Sequence, residues 1–90
     1  MLVLPESITQ ANAVACLDAL SKALPREAGP DVVLDAAPLT RFDSAALAVL
    51  LDMRRKVLKM GKQFVVKDVP QRLQDLASLY GIAELLPSGA

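Results

Sequence analysis

An acidic residue followed directly by a hydroxyl, Asp43-Ser44, and a second carboxylate upstream, Asp35, are the groups in this 90-residue sequence whose types and spacing could do chemistry. Two carboxylates can divide acid and base work between them. A carboxylate at a strand end and one capping a helix account for both residues without catalysis. The sequence contains no histidine and a single cysteine. That excludes Ser-His-Asp and Cys-His catalysis and an internal disulfide, and it removes the commonest zinc ligand. Cys16 stands in an Ala/Leu-rich stretch and reads as a small core residue rather than a reactive thiol. Glycines 29, 61, 81 and 89 are too dispersed to cradle a phosphate. The expectation is a chain with no catalytic residue, no metal site and no cofactor.

Charge is balanced overall, with 10 basic and 10 acidic residues, but not along the chain. Residues 41–72 hold eight basic side chains against three acidic ones. Nucleic acid is not the expected partner, because Phe42, Phe64 and Tyr80 are too few and too scattered for a stacking platform. Arg54, Arg55, Lys56, Lys59 and Lys62 read instead as the solvated end of a helix, where cations complement the C-terminal dipole. The longest apolar run, residues 45–51, is far short of the ~20 residues a bilayer requires. Met1 to Pro5 carries no basic segment leading a long apolar one. A cytoplasmic chain without direct membrane insertion is expected.

The elements that must position Asp43 and Ser44 follow from hydrophobic period and punctuation. Residues 1–4 predict a short strand, and Ser7-Ile8-Thr9-Gln10 has capping-box spacing ahead of a helix striped by Ala13, Leu17, Leu20 and Leu24 and stopped by Pro25. Asp31-Val32-Val33-Leu34-Asp35 predicts a strand buried on both faces. A helix begins at Asp43 or Ser44, with Ala46, Leu50, Met53, Val57 and Met60 as its core stripe and Gly61 in the left-handed position after it. Phe64-Val65-Val66 predicts a third strand. Asp68-Val69-Pro70-Gln71 opens another helix by a side-chain cap and an early proline, with Val69, Leu73, Leu76 and Tyr80 on one face and Gly81 as its stop. Ile82, Leu85 and Leu86 close the chain as a short strand or a turn of helix. The alternation predicts one α/β domain over residues 1–90, a small mixed or parallel sheet backed by helices on right-handed crossovers.

The helix that begins at Asp43-Ser44 is apolar almost all the way round in its first two turns. An apolar stripe covering about a third of the circumference is enough to pack on a sheet. The surplus among Leu47, Ala48 and Leu51 must therefore contact neighbouring helices or lie exposed as a binding patch.

At these residues the sequence resembles the STAS domains shared by anti-sigma factor antagonists, anion transporters and a phospholipid-transport complex. Family members carry Asp-Ser/Thr-x-Gly-Leu where a loop enters a helix, and Asp43-Ser44-Ala45-Ala46-Leu47 matches it with Ser44 at the hydroxyl position and Ala46 in place of Gly. Lys59-Met60-Gly61-Lys62 before Phe64-Val65-Val66, then Leu76-Ala77-Ser78-Leu79-Tyr80-Gly81 and Leu85-Leu86-Pro87, are most similar to the STAS subunits of Mla phospholipid transporters. The extra strand that family members place before the first one here is not expected in this chain. The Ala46 methyl is expected to alter how closely a partner's backbone approaches.

The resemblance implies a non-catalytic accessory subunit that binds the cytoplasmic ATPase of an ABC transporter serving outer-membrane lipid asymmetry. The contact is expected at Arg41, Phe42, Asp43, Ser44, Ala45 and Leu47, with a weak homodimer as a secondary expectation. The alternative it implies is an anti-sigma factor antagonist whose kinase partner is released by phosphorylation of Ser44.

Overall fold

The computed structural model describes residues 1–86. Pro87 and Gly89, named above, lie outside them. The chain runs through β1 (Leu2–Val3), β2 (Ser7–Ile8), α1 (Ala13–Ala23), a 3-10 turn (Leu24–Arg26), β3 (Asp31–Asp35), β4 (Arg41–Phe42), α2 (Ser44–Lys59), β5 (Gln63–Lys67), α3 (Gln71–Leu79) and a last 3-10 turn (Ala83–Leu85). β1, β3 and β5 form a parallel sheet in that spatial order, with Leu2 opposite Leu34 and Val33 opposite Val65. This is the expected α/β architecture.

Strand order rising in one direction, with right-handed crossovers, puts α1 and α2 on the same side of the sheet. The burial pattern follows. Leu2, Val32, Leu34, Phe64 and Val66 face the helices and are buried, whereas Val33 and Val65 are half-buried and Val3 is exposed. The expectation that β3 is buried on both faces is therefore corrected: its second face has no helical layer over it among the described residues.

The capping box at residues 7–10 does not form. Ser7 and Ile8 pair in parallel with Arg41 and Phe42 as a separate two-stranded ladder, and Ile8 is fully buried. Their backbone is committed to β4, so the helix waits until Ala13. Asn12 ties the intervening loop instead, its side chain accepting from Thr9 N at 2.7 Å and donating to Ser7 O at 2.8 Å. Pro25 ends the α-helical ladder as expected, and the chain makes one 3-10 turn through it.

The two later helices end as their glycines require. Gly61 (φ +75) and Gly81 (φ +72) take the left-handed conformation that costs other residues strain. Each is followed by paired closing bonds, Gly61 N to Leu58 O with Lys62 N to Val57 O, and Gly81 N to Ser78 O with Ile82 N to Ala77 O. The stripe on α2 holds at Ala46, Leu50, Met53 and Val57, but Met60 is 40% exposed because it caps the helix where the chain turns toward β5. On α3, Leu73 and Ala77 are buried while Tyr80, at the C-cap, is 58% exposed. Asp68 does not cap α3. It has φ +56, and the N-cap is Pro70, whose carbonyl accepts from Leu73 N and Gln74 N.

Candidate functional site

The loop into α2 is built from backbone bonds to distant segments. Ala36 N donates to Lys67 O, and Leu39 is buried beneath the turn. Asp35 Oδ1 accepts from Ala37 N at 3.0 Å, so this carboxylate turns the chain at the end of β3. Thr40 N and Arg41 N both donate to Glu6 O, and β4 then pairs with β2. The start of α2 is thus held against the segment after β1.

Asp43 completes that junction. Its extended backbone is an N-cap geometry, Oδ1 accepts from Ala45 N at 2.8 Å, and Oδ2 accepts from Gln10 N at 3.0 Å. Capping falls to Asp43 and not to Ser44, which leaves the Ser44 side chain exposed in the first turn. Arg41 and Asp43 are exposed beside it, Ala45 is half-buried, and Phe42 is half-buried with the Arg72 guanidinium 5.6 Å over its ring.

Two expectations change at this point. Leu47 is 3% exposed and belongs to the core, so it cannot lend a side chain to the contact expected around Ser44. The reason is that α2 packs against α1 and α3 as well as β5, which buries a wider arc than a sheet alone would. Ala46 is fully buried, so the methyl that replaces the family's Gly points into the core and not toward a partner.

The remaining surplus does reach the surface. Ala48 and Leu58 are exposed and Leu51 is half-buried, on the side of α2 opposite its core stripe. Leu58 is not among the surplus residues expected from the sequence, and its spacing from Ala48 and Leu51 is the signal that places it on the same side. The cations at the end of α2 are less free than expected. Asp52 is bonded by Lys56 at 2.9 Å and by Arg55, and Lys62 donates to Glu27 O. Those bonds, from Lys56 first and Arg55 second, hold the Asp52 carboxyl below the usual range. Cys16 is half-buried, and burial pushes its thiol pKa up.

Among the described residues no three His, Cys, Asp or Glu side chains gather closely enough to hold a metal ion. No helix among them is long and apolar enough to cross a membrane. A family model described as Mlab, STAS domain matches residues 1–87. No curated protein matches the chain.

Proposed function

The chain belongs to the MlaB-type STAS domain family, and from that membership we infer that it is a non-catalytic accessory subunit docking on the cytoplasmic ATPase of a phospholipid-transporting ABC complex. One observation supports the site: Ser44, at the family's hydroxyl position, is exposed in the first turn of α2 while the neighbouring carboxylate makes the capping bonds. A hydroxyl free of structural duty is available to a partner. Arg41, Phe42, Asp43 and Ala45 surround it, and the small side chains at 44 and 45 let a partner backbone come close. Affinity would arise mainly at the desolvated centre of the contact. The subunit would sit in the cytoplasm, held at the inner membrane through its complex and serving outer-membrane lipid asymmetry.

The test is co-purification with the ABC ATPase encoded in the same genome. The wild-type chain is expected to bring down the ATPase, and Ser44→Glu is expected to fold normally and lose it. A wild-type yield with Ser44→Glu would refute the site, and no complex with the wild-type chain would refute the transporter reading.

The same exposed hydroxyl supports a second reading, an anti-sigma factor antagonist switched at Ser44. A phosphate there would add about −1.5 to −2 charge beside Asp43 and repel a partner seated on the helix start. Transfer of labelled phosphate to Ser44 by a histidine-kinase-like anti-sigma factor of the same genome, abolished by Ser44→Ala, would favour it over the transporter reading.

A further inference from the structure

Ser44, Ala48, Leu51, Arg55 and Leu58 are spaced i, i+4, i+7, i+11 and i+14, which puts them on one line along α2. At 1.5 Å per residue this line is about 21 Å long. It runs opposite the buried stripe Ala46, Leu50, Met53 and Val57, so its apolar members Ala48, Leu51 and Leu58 lie away from the core face, with Arg55 among them. Small residues occupy its upper end and leucines its lower end, where Leu58 is 46% exposed. A shallow groove lies against the lower half, floored by Ala48, Leu51, Leu58 and Leu85 and rimmed by Arg54 and Lys59.

Charge identifies what fits there. Asp52 is the acidic residue of the groove, and its carboxylate is taken up by Lys56 and Arg55. Arg54 and Lys59 make no ion pair among the described residues. The apolar surface of Ala48, Leu51 and Leu58, with the cations Arg54 and Lys59 along its edge, complements a segment that carries an apolar stripe flanked by carboxylates. A helix suits it better than a strand, because ridges of residues three and four apart interlock with those of another helix, and Ser44 and Ala48 permit close approach at the upper end. An anionic membrane is the poorer match. The line carries no aromatic anchor, and α2 cannot sink into an interface while its other side is held in the core.

We propose that the line from Ser44 to Leu58 on α2 is a docking surface for an acidic amphipathic helix of a protein partner. The proposal rests on the reading of Ser44 as a contact residue and extends that contact down the whole helix.

The experiment titrates the isotopically labelled full chain with a synthetic helix bearing a leucine stripe flanked by glutamates. The same helix with lysines replacing the glutamates, and phosphatidylglycerol vesicles, are the controls. Amide shifts are expected along residues 44–59, with binding that weakens as salt rises. Leu58→Ser and the pair Arg54→Glu with Lys59→Glu, all at exposed or half-buried positions, are each expected to fold and to lose about tenfold in affinity. Shifts elsewhere, equal binding of the lysine helix, stronger binding to the vesicles, or unchanged affinity in both variants would overturn the surface. The ATPase co-purification separates the two readings. If the wild-type chain captures no ATPase yet binds the acidic helix here, the transporter reading falls and the surface stands. If the ATPase is captured equally by the wild type and both variants, and the helix does not bind, the surface falls and the transporter reading stands.

Discussion

Asp43 and Gln10, 33 residues apart, are joined by a 3.0 Å bond from the Gln10 amide to the carboxylate that also caps α2. One side chain therefore closes the helix start and anchors the segment between β2 and α1. Asp43→Ala removes both acceptors and is expected to cost about 1 to 2 kcal/mol, toward the upper end of the range for an N-cap. Ser44→Ala, one residue on, is expected to stay within about 0.5 kcal/mol of the wild type, as for a surface position without structural bonds. Urea denaturation of the two variants checks the assignment, and the reverse order would return the capping role to Ser44.

Two leucines on α2 should differ sharply in what their truncation costs. Leu47→Ala empties a core position and is expected to cost about 2 to 5 kcal/mol. Leu58→Ala, at a largely exposed position, is expected to lower stability by less than about 1 kcal/mol. Thermal melts of both variants measure this. Equal losses would mean that the outer side of α2 is structural.

Asp52 supplies a pH dependence. Its folded pKa lies below the unfolded value because Lys56 and Arg55 bond the charged form. The contribution is therefore fully present above about pH 4 and is lost as pH falls through the lower folded value. Asp52→Asn is expected to flatten the acid limb of stability against pH. A limb that stays as steep as that of the wild type would assign it to other carboxylates.

Ser44→Glu should separate folding from binding. A carboxylate in the first turn is favourable to the helix dipole, so the melting curve is expected to match the wild type or exceed it slightly. A desolvated charge in the contact is expected to cost the complex roughly 2 to 5 kcal/mol. Isothermal titration with the ATPase reads the second quantity, and unchanged affinity would move the contact away from the helix start.

Lys59→Glu is expected to change stability by less than about 0.5 kcal/mol, since Lys59 is exposed and makes no ion pair among the described residues. Denaturant titration checks it. A loss of several kcal/mol would contradict the solvated position.

What could be read from the chain alone were features whose cause lies within a few residues. The stops at Gly61 and Gly81 follow from left-handed backbone, and the inner stripe Ala46, Leu50, Met53 and Val57 follows from helical period, so both were legible. The alternation of strand and helix was legible for the same reason, and it sufficed for the α/β class. The features that escaped depend on what arrives from elsewhere in the chain. Ser7 and Gln10 have the spacing of a capping box, but β4 pairs with Ser7 and Ile8 from more than 30 residues away, and hydrogen bonds already made to a strand are not available to a helix. Val33 sits in an apolar run like its neighbours, yet the hand of the crossovers puts both connecting helices on the other side of it. Leu47 and Leu58 are the same residue type in sequence, and Ala48 is apolar beside them. Only the packing of α1, α3 and β5 around α2 decides which of them is core and which is surface, because burial is set by neighbours that a local pattern does not contain.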